Sequence, residues 1–467
     1  MTKSEAILYS LAVYCLLMLA IGAWASRRTH DAGDFFLGGR RMGAWITALA
    51  QGSTQSSAWT LVGVSGAAFS WGLSAAWLWV AVMAGYVVNW YWVAPRLRRL
   101  SLASGSVTLV QELAGDPAGA RHLAVLRSCS LIILVSFLFY VAAQFQAAGQ
   151  AFAAGLDLPV AACIAIGAAV TVAYTFMGGF WAASATDVVQ ALLMLGVALF
   201  LPAVAFMVAG GVDGIVQGLA VEGDSVVSLT GGRTGLASLA FVLGTMGIGL
   251  GAPGQPHVVN RFMAARDDGV IRRGAVIALV WIALVLAGML VLGWSGRVLY
   301  AGMGQPENVI YVVADRLLPP IVAGLVAVAV MSAIMSTVDS QLLTATSSLT
   351  IDRGGRAGGQ VTVWSSRLAL AGFSIAAVLV AIFAPESIYT RVLFAWNAIG
   401  AAFGPLVLLL VSGRRVGQAG TLACLWTGFL LTVVFYLLPD SPGDLHERIL
   451  PFFVALGAAL WVDRRKA

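Results

Sequence analysis

The sequence is short of charge. Only 10% of its 467 residues are Asp, Glu, Lys or Arg, 27 basic and 21 acidic, against 60% hydrophobic. A water-soluble chain carries roughly a quarter charged residues, so there are too few here to cover a water-facing surface. Length alone would allow two or three soluble domains, but a mean hydropathy of +0.90 removes that reading. Cysteine is scarce too. Cys15, Cys129, Cys163 and Cys424 all fall inside or at the ends of apolar stretches, with neither a C-x-x-C pair nor a zinc spacing. Of the four histidines, His30, His122 and His446 sit in polar connections, which argues against a metal centre. A basic stripe interleaved with aromatics is missing as well, so the net charge of +6 does not indicate a nucleic-acid partner. What the chain has in quantity is apolar stretches long enough to cross a bilayer. It reads as an all-α polytopic membrane protein, a single domain over 1–467 in contact with lipid.

The hydropathy pattern predicts about thirteen transmembrane helices. They cover roughly 5–26, 44–70, 74–95, 124–154, 158–177, 183–210, 236–264, 271–300, 318–350, 362–384, 389–412, 417–438 and 447–463, at 1.5 Å per residue across ~30 Å of hydrocarbon. The first is read as a retained helix. It is too long for a signal peptide and is followed by Arg27-Arg28 rather than small residues. Thirteen spans place the termini on opposite sides. With the N-terminus outside, only Lys3, Arg233, Arg297, Arg316, Arg391 and Arg448 face outward, and the other 21 of the 27 basic residues fall in inner loops and the tail. The positive-inside rule therefore predicts an outer N-terminus and a cytoplasmic C-terminus in the cell's inner (plasma) membrane.

Two spans are poor lipid anchors. The second carries the polar run Gln51-Gly52-Ser53-Thr54-Gln55-Ser56-Ser57, and the seventh reads Gly247-Ile248-Gly249-Leu250-Gly251-Ala252-Pro253-Gly254-Gln255-Pro256. Gly and Pro free backbone carbonyls, which a membrane tolerates only where protein or a watery cavity receives them. A pair of interrupted spans at matching places in two halves points to the binding site of an inverted-repeat transporter. Close packing through small residues is the alternative for either cluster alone. Spans two to eleven make two five-helix halves, with a core over 43–412, a first repeat over 43–210 and a second over 236–412. In span nine, Ala333, Ser336 and Thr337 share one helical face. Their hydroxyls and carbonyl, facing the unwound carbonyls of span two, would suit a hard cation such as Na⁺, although such hydroxyls alone often bond their own helix. Asp187 and Asp339 are carboxylates within spans, each either functional or a solvated helix end. No nucleophile–base pair lies at membrane depth, so an enzyme is not indicated. A membrane sensor keeping the same core is the other class of reading, and only about four residues follow the last span to carry a signalling domain.

At these residues the chain resembles the solute:sodium symporter family over nearly its whole length. The resemblance rests on Phe36-Leu37-Gly38-Gly39-Arg40 with Gly43 and Thr47-Ala48-Leu49, and on Thr186-Asp187 with Gln190-Ala191. It continues through Gly254-Gln255-Pro256-His257 with Arg261-Phe262-Met263-Ala264-Ala265, and through Met335-Ser336-Thr337 with Gln341-Leu342-Leu343. Ala395-Trp396 with Gly400-Ala401-Ala402-Phe403-Gly404-Pro405 completes the set, which looks closer to the family's proline branch than to its sugar branch.

The resemblance implies a LeuT-type 5+5 core with one helix before it and two after. It implies sodium-coupled import of a small solute, an amino acid such as proline or a relative or another carboxylate-bearing solute, with Na⁺ co-transported and no organic cofactor. Sodium would be held near Ser53 and Ser56 and by Ala333, Ser336 and Thr337. Asp187 is similar to a carboxylate associated with sodium release, and Arg40 to an arginine needed for transport. The solute pocket would be lined by Gln55, Trp59, Tyr140, Gln144, Ile248 and Ala252. Gln55 stands where the proline branch has an aspartate. Ile248 and Ala252 stand where it has aromatics, which predicts a roomier pocket with less ring surface.

Overall fold

The computed structural model describes residues 2–27, 32–153, 158–352, 362–383, 388–439 and 441–464. Arg28, His30, Arg353, Arg356, Arg465 and Lys466 lie outside the described residues. Those described are helical apart from connections and one isolated bridge between Met42 and Ala265. Helix α1 spans Lys3–Ser26, opened by a capping box in which Thr2 and Glu5 each satisfy the other's backbone N–H. Helix α2 (Ala44–Gln55) and α3 (Val64–Trp71) follow, joined through a wider π-type turn over Trp59–Gly63. Then come α4 (Ala76–Val87), α5 (Ala94–Ser104), the short α6 (Leu109–Ala114), α7 (His122–Ala153) and α8 (Val160–Val208). The second half holds α9 (Gly235–Leu250), α10 (Pro256–Met263), α11 (Asp268–Leu299), α12 (Pro320–Thr350), α13 (Val363–Phe383) and α14 (Ile388–Val411). Helices α15 (Gln418–Tyr436) and α16 (Leu450–Arg464) close the chain.

Among the described residues, eleven helical stretches are long and apolar enough to cross a membrane. Two of them, Trp59–Ser104 and Val160–Val208, run to 46 and 49 residues. A straight helix of the latter length would reach about 73 Å, more than twice the hydrocarbon thickness. Each is bent by a glycine in a left-handed conformation, Gly72 at φ +62° and Gly179 at φ +54°. At Gly179 a Cβ would fall 2.6 Å from the Phe35 ring, so close packing and backbone both demand glycine there. The bends at Gly72 and Gly179 fall in the gaps between the expected spans 44–70 and 74–95 and between 158–177 and 183–210.

Helix α12 is the axis of the molecule. It packs against α1, α2, α7, α8 and α13, and 83% of its most apolar 18-residue window is buried, against 28% for the last span. Its hydroxyl-rich face is therefore enclosed by protein rather than lipid. Helix α14 crosses the interruption between α9 and α10, and α11 backs α2 and α3. The basic side chains divide between two ends. At one, Arg40, Arg98 and Arg99 gather around Asp268 and the carbonyls of Met263, Ala265 and Arg266. At the other, Arg297 pairs with Glu222 and Arg448 with Asp444.

Candidate functional site

The first interruption falls where the polar run predicted it. After Gln55 the helix stops, Ser56 and Ser57 are non-helical, and the chain resumes at Ala58. Helix α12 lies alongside. Ser336 Oγ is 3.0 Å from the Ser53 carbonyl oxygen and 3.2 Å from that of Ala333. Thr337 Oγ1 is 3.0 Å from the Thr54 carbonyl oxygen and 3.1 Å from that of Ala333. Of the five residues expected around sodium, four are thus brought together: Ser53, Ala333, Ser336 and Thr337. Ser56 stands at the break itself, buried. The sequence reading missed Thr54, whose carbonyl accepts from Thr337 and whose hydroxyl lies 3.1 Å from Ser340 Oγ. Two hydroxyls and three carbonyls converge here, an oxygen-only set of the kind hard cations take.

The second interruption runs from Gly251 to Gln255 between α9 and α10. Side-chain N–H donors bind carbonyls before it, within it and on the crossing α14. Trp396 Nε1 donates to the Ile248 carbonyl at 2.9 Å, Asn89 Nδ2 to that of Ala252 at 3.1 Å, and Gln255 Nε2 to that of Trp396 at 2.9 Å.

Between the two breaks lies a cavity. Gln55, Trp59, Tyr140, Ile248 and Ala252 line it, as the sequence predicted, together with Ser56. Gln144 does not. It stands behind the wall, where its Oε1 accepts from the Ala58 N–H at 3.1 Å and so fixes the restart of the broken helix. The cavity gains two aromatic residues that the pocket reading missed, Tyr86 and Trp396. Trp396 did appear in the Ala395-Trp396 motif. Tyr86 had no signal beyond an aromatic in an apolar span. Both corrections bear on the expected loss of ring surface at positions 248 and 252, because the Trp396 indole lies against Gly251, where any Cβ would collide with it.

Asp187 and Asp339 are fully buried, so neither is a solvated helix end. Asp187 Oδ2 pairs with Arg261 at 2.5 Å, and Arg261 also bonds Ser184 and Ser340. Asp339 accepts from Tyr174 and from Ser340, both at 2.9 Å. Arg261 was counted among the loop arginines, but only 3% of its side chain is exposed. Its position on α10, facing α8 and α12, takes it out of the loop. Buried charges persist where they are paired. Arg40 is not among the residues that line the cavity. It binds Ser101, Ser106 and the Met263 carbonyl, fastening the segment before α2 to α5 and α10.

The model of the sodium:solute symporter family matches residues 35–428. The high-affinity proline transporter PutP of Bacillus subtilis (strain 168) is 33% identical over 96% of this chain and 95% of its own length. A sodium/proline symporter of Salmonella typhimurium is 34% identical over 97% of this chain and 92% of its own. Among solved structures, a Na⁺-coupled sialic acid symporter in a substrate-bound outward-open state superposes with a TM-score of 0.79. It is 18% identical, covering 100% of this chain and 98% of that one. Mhp1, a nucleobase-cation-symport-1 family transporter, gives 0.60 at 15% identity, covering 92% and 95%. These two share the fold, which is the LeuT-type arrangement that the family resemblance implied. With four-fifths of the chain inside the family model and relatives above 30% identity end to end, the chain belongs to the sodium:solute symporter family.

Proposed function

We propose that this protein is a sodium-coupled symporter, not an enzyme, importing a small amino acid of the proline type by alternating access. The observation that carries this reading is the meeting of Ser336 and Thr337 with the Ser53 and Thr54 carbonyls, directly beside a cavity floored by Gln55. Sodium would sit among these oxygens with the Ala333 carbonyl, each hydroxyl turning its proton away and offering its lone pairs. Ser56 would lie between ion and solute. The solute would occupy the cavity between the breaks, against Trp59, Tyr140, Ile248, Ala252 and Trp396. Helix ends at such breaks favour a carboxylate through free N–H groups and the helix dipole. Occupation of both sites would draw α2 and α12 together, which is how ion binding is coupled to solute binding.

Asp187 would receive sodium on its way toward the arginine-rich end, with Arg261 as its resident partner. We take that end to be cytoplasmic, from the distribution of basic residues, with the protein in the plasma membrane. Arg40 would act there as part of the closure. One Na⁺ moving through ~100 mV gains ~2.3 kcal/mol. A tenfold gradient adds ~1.4 kcal/mol, so one ion supports a solute ratio of roughly several hundredfold.

The test is uptake of labelled proline into proteoliposomes, with an inward Na⁺ gradient or an equal K⁺ gradient, in a panel with larger amino acids, sugars and carboxylates. Uptake of proline or a near relative only with Na⁺, collapsed by a sodium ionophore, is expected. Equal uptake with K⁺ would remove sodium coupling, and preference for a sugar would remove the amino-acid reading.

A further inference from the structure

Gln55 is held from behind by a relay whose direction is set by chemistry. Gln51 and Gln55 are one turn apart on α2, and Gln51 Nε2 lies 2.6 Å from Gln55 Oε1. Gln51 is fully buried, as is Trp90 on the neighbouring segment, and Trp90 Nε1 lies 3.0 Å from Gln51 Oε1. The two ends of an amide are hard to tell apart by shape, but an indole N–H can only donate. It must therefore face the oxygen of Gln51. The Gln51 NH₂ is then turned toward Gln55, which must answer with its own oxygen. Reversing either amide would set two NH₂ groups, or two oxygens, against each other. What remains for the cavity is the Gln55 NH₂, which makes no hydrogen bond among the described residues.

We infer that Trp90 and Gln51 are positioning residues that make Gln55 a fixed hydrogen-bond donor, which receives the carboxylate of the solute. This deepens the amino-acid reading above and rests on it for the solute's identity. A donor aimed into the cavity attracts an acceptor such as a carboxylate oxygen. It presents no acceptor toward the cavity for an ammonium group or Na⁺, since the amide oxygen is turned toward Gln51. Position 55 therefore reads the acid end of the solute, and the cation is left to the hydroxyl and carbonyl oxygens at the break. Selectivity for acids over their neutral amides is set two side chains away from the ligand.

The experiment compares proline with prolinamide as competitors of labelled proline uptake at saturating Na⁺, using the ratio of half-inhibitory concentrations. Three variants separate the roles. Gln55→Leu deletes the donor, and Gln51→Met removes the relay without adding charge. Gln51→Glu accepts from both Trp90 and Gln55, so it should turn the Gln55 oxygen toward the cavity. The acid preference should fall at least tenfold in Gln55→Leu and Gln51→Glu and several-fold in Gln51→Met. Na⁺ dependence should stay within twofold in the two uncharged variants. An unchanged ratio in Gln51→Met overturns the positioning role even if Gln51→Glu fails to fold, and an unchanged ratio in Gln55→Leu overturns the donor role. The same ratio, read from ligand-induced thermal stabilisation of the purified protein, needs no transport. Gln51-dependent discrimination without Na⁺-driven uptake would sink the symport reading and leave this one standing.

Discussion

The two interruptions occupy matching places in the two halves, yet their freed carbonyls are satisfied by opposite chemistry. At the first, Ser53 and Thr54 face hydroxyls on α12. At the second, Ile248 and Ala252 face an indole and an amide N–H. A hydroxyl is both donor and acceptor, so it can release a carbonyl and join it as a ligand to a cation. An indole N–H has no lone pair to offer, and an amide NH₂ likewise only donates. The first break is thus suited to exchange an internal hydrogen bond for an ion. The second is a braced frame whose small residues, Gly249 and Ala252, leave room beside Trp396. Repeating a topology does not repeat a function; the donor type on the facing helix assigns it.

The largest effect should come from taking the hydroxyls away. Ser336→Ala with Thr337→Ala removes two oxygens, each worth ~1.5–3 kcal/mol when bonded to a charged group. The Na⁺ concentration for half-maximal uptake should rise well over tenfold, read from uptake rates across a Na⁺ series. Unaltered Na⁺ dependence would erase the distinction between the breaks.

Asp187→Asn comes next, because it lies beyond the first break along the chain Thr54–Ser340–Arg261. Single-turnover and steady-state uptake should show turnover slowed about tenfold while equilibrium solute binding moves less than threefold, with the buried charge lost but its geometry kept. Equal loss in both would place Asp187 in solute binding instead.

Trp396→Phe tests the braced break. It deletes one N–H to the Ile248 carbonyl, a loss of ~1 kcal/mol, so half-saturation by solute should rise about fivefold. Sodium titration of the same variant should be unmoved. A shift in Na⁺ dependence as large as that of the hydroxyl variant would break the comparison from the other side.

The smallest effect concerns Asp352, just past α12 at the arginine-rich end, whose Oδ1 accepts from Thr108 at 2.9 Å. Burial pushes its carboxyl up from 3.8 to about 7, against a smaller lowering by the Thr108 bond. Between those values the folded chain keeps a proton that the unfolded chain has lost, so stability should fall as pH rises from about 4 to about 7. Melting curves at pH 6 and pH 8 should show a modest drop, absent in Asp352→Asn. A drop that persists in the variant would assign it to another group.

Much of the membrane architecture was legible because it depends on local properties. Long apolar runs fix helices wherever they sit, and Gly with Pro or polar clusters break them, which is why both interruptions lay where the composition placed them. The cluster of hydroxyls and carbonyls at the first break was legible in part for the same reason: Ala333, Ser336 and Thr337 share a face by periodicity alone. Gln144, Arg261 and Trp396 were misplaced or missed, since each acts across an interface that periodicity does not describe. Gln144 was expected in the pocket wall but bonds the Ala58 N–H. Arg261 resembled a loop arginine until α10 turned it inward.

The sequence by itself determined the class of protein, most of the helical segments and the two breaks, because hydropathy and backbone freedom are written residue by residue; the family came from the resemblance of its motifs. Only the tertiary structure decided which partners meet. Ser336 reaches the Ser53 carbonyl across 283 positions, and Tyr174 reaches Asp339 across 165. Even the direction in which Gln55 points depends on Trp90, 39 positions from Gln51. A hydrogen bond has direction, and its donor and acceptor are chosen by whichever helix packs opposite, which no local pattern along the chain specifies.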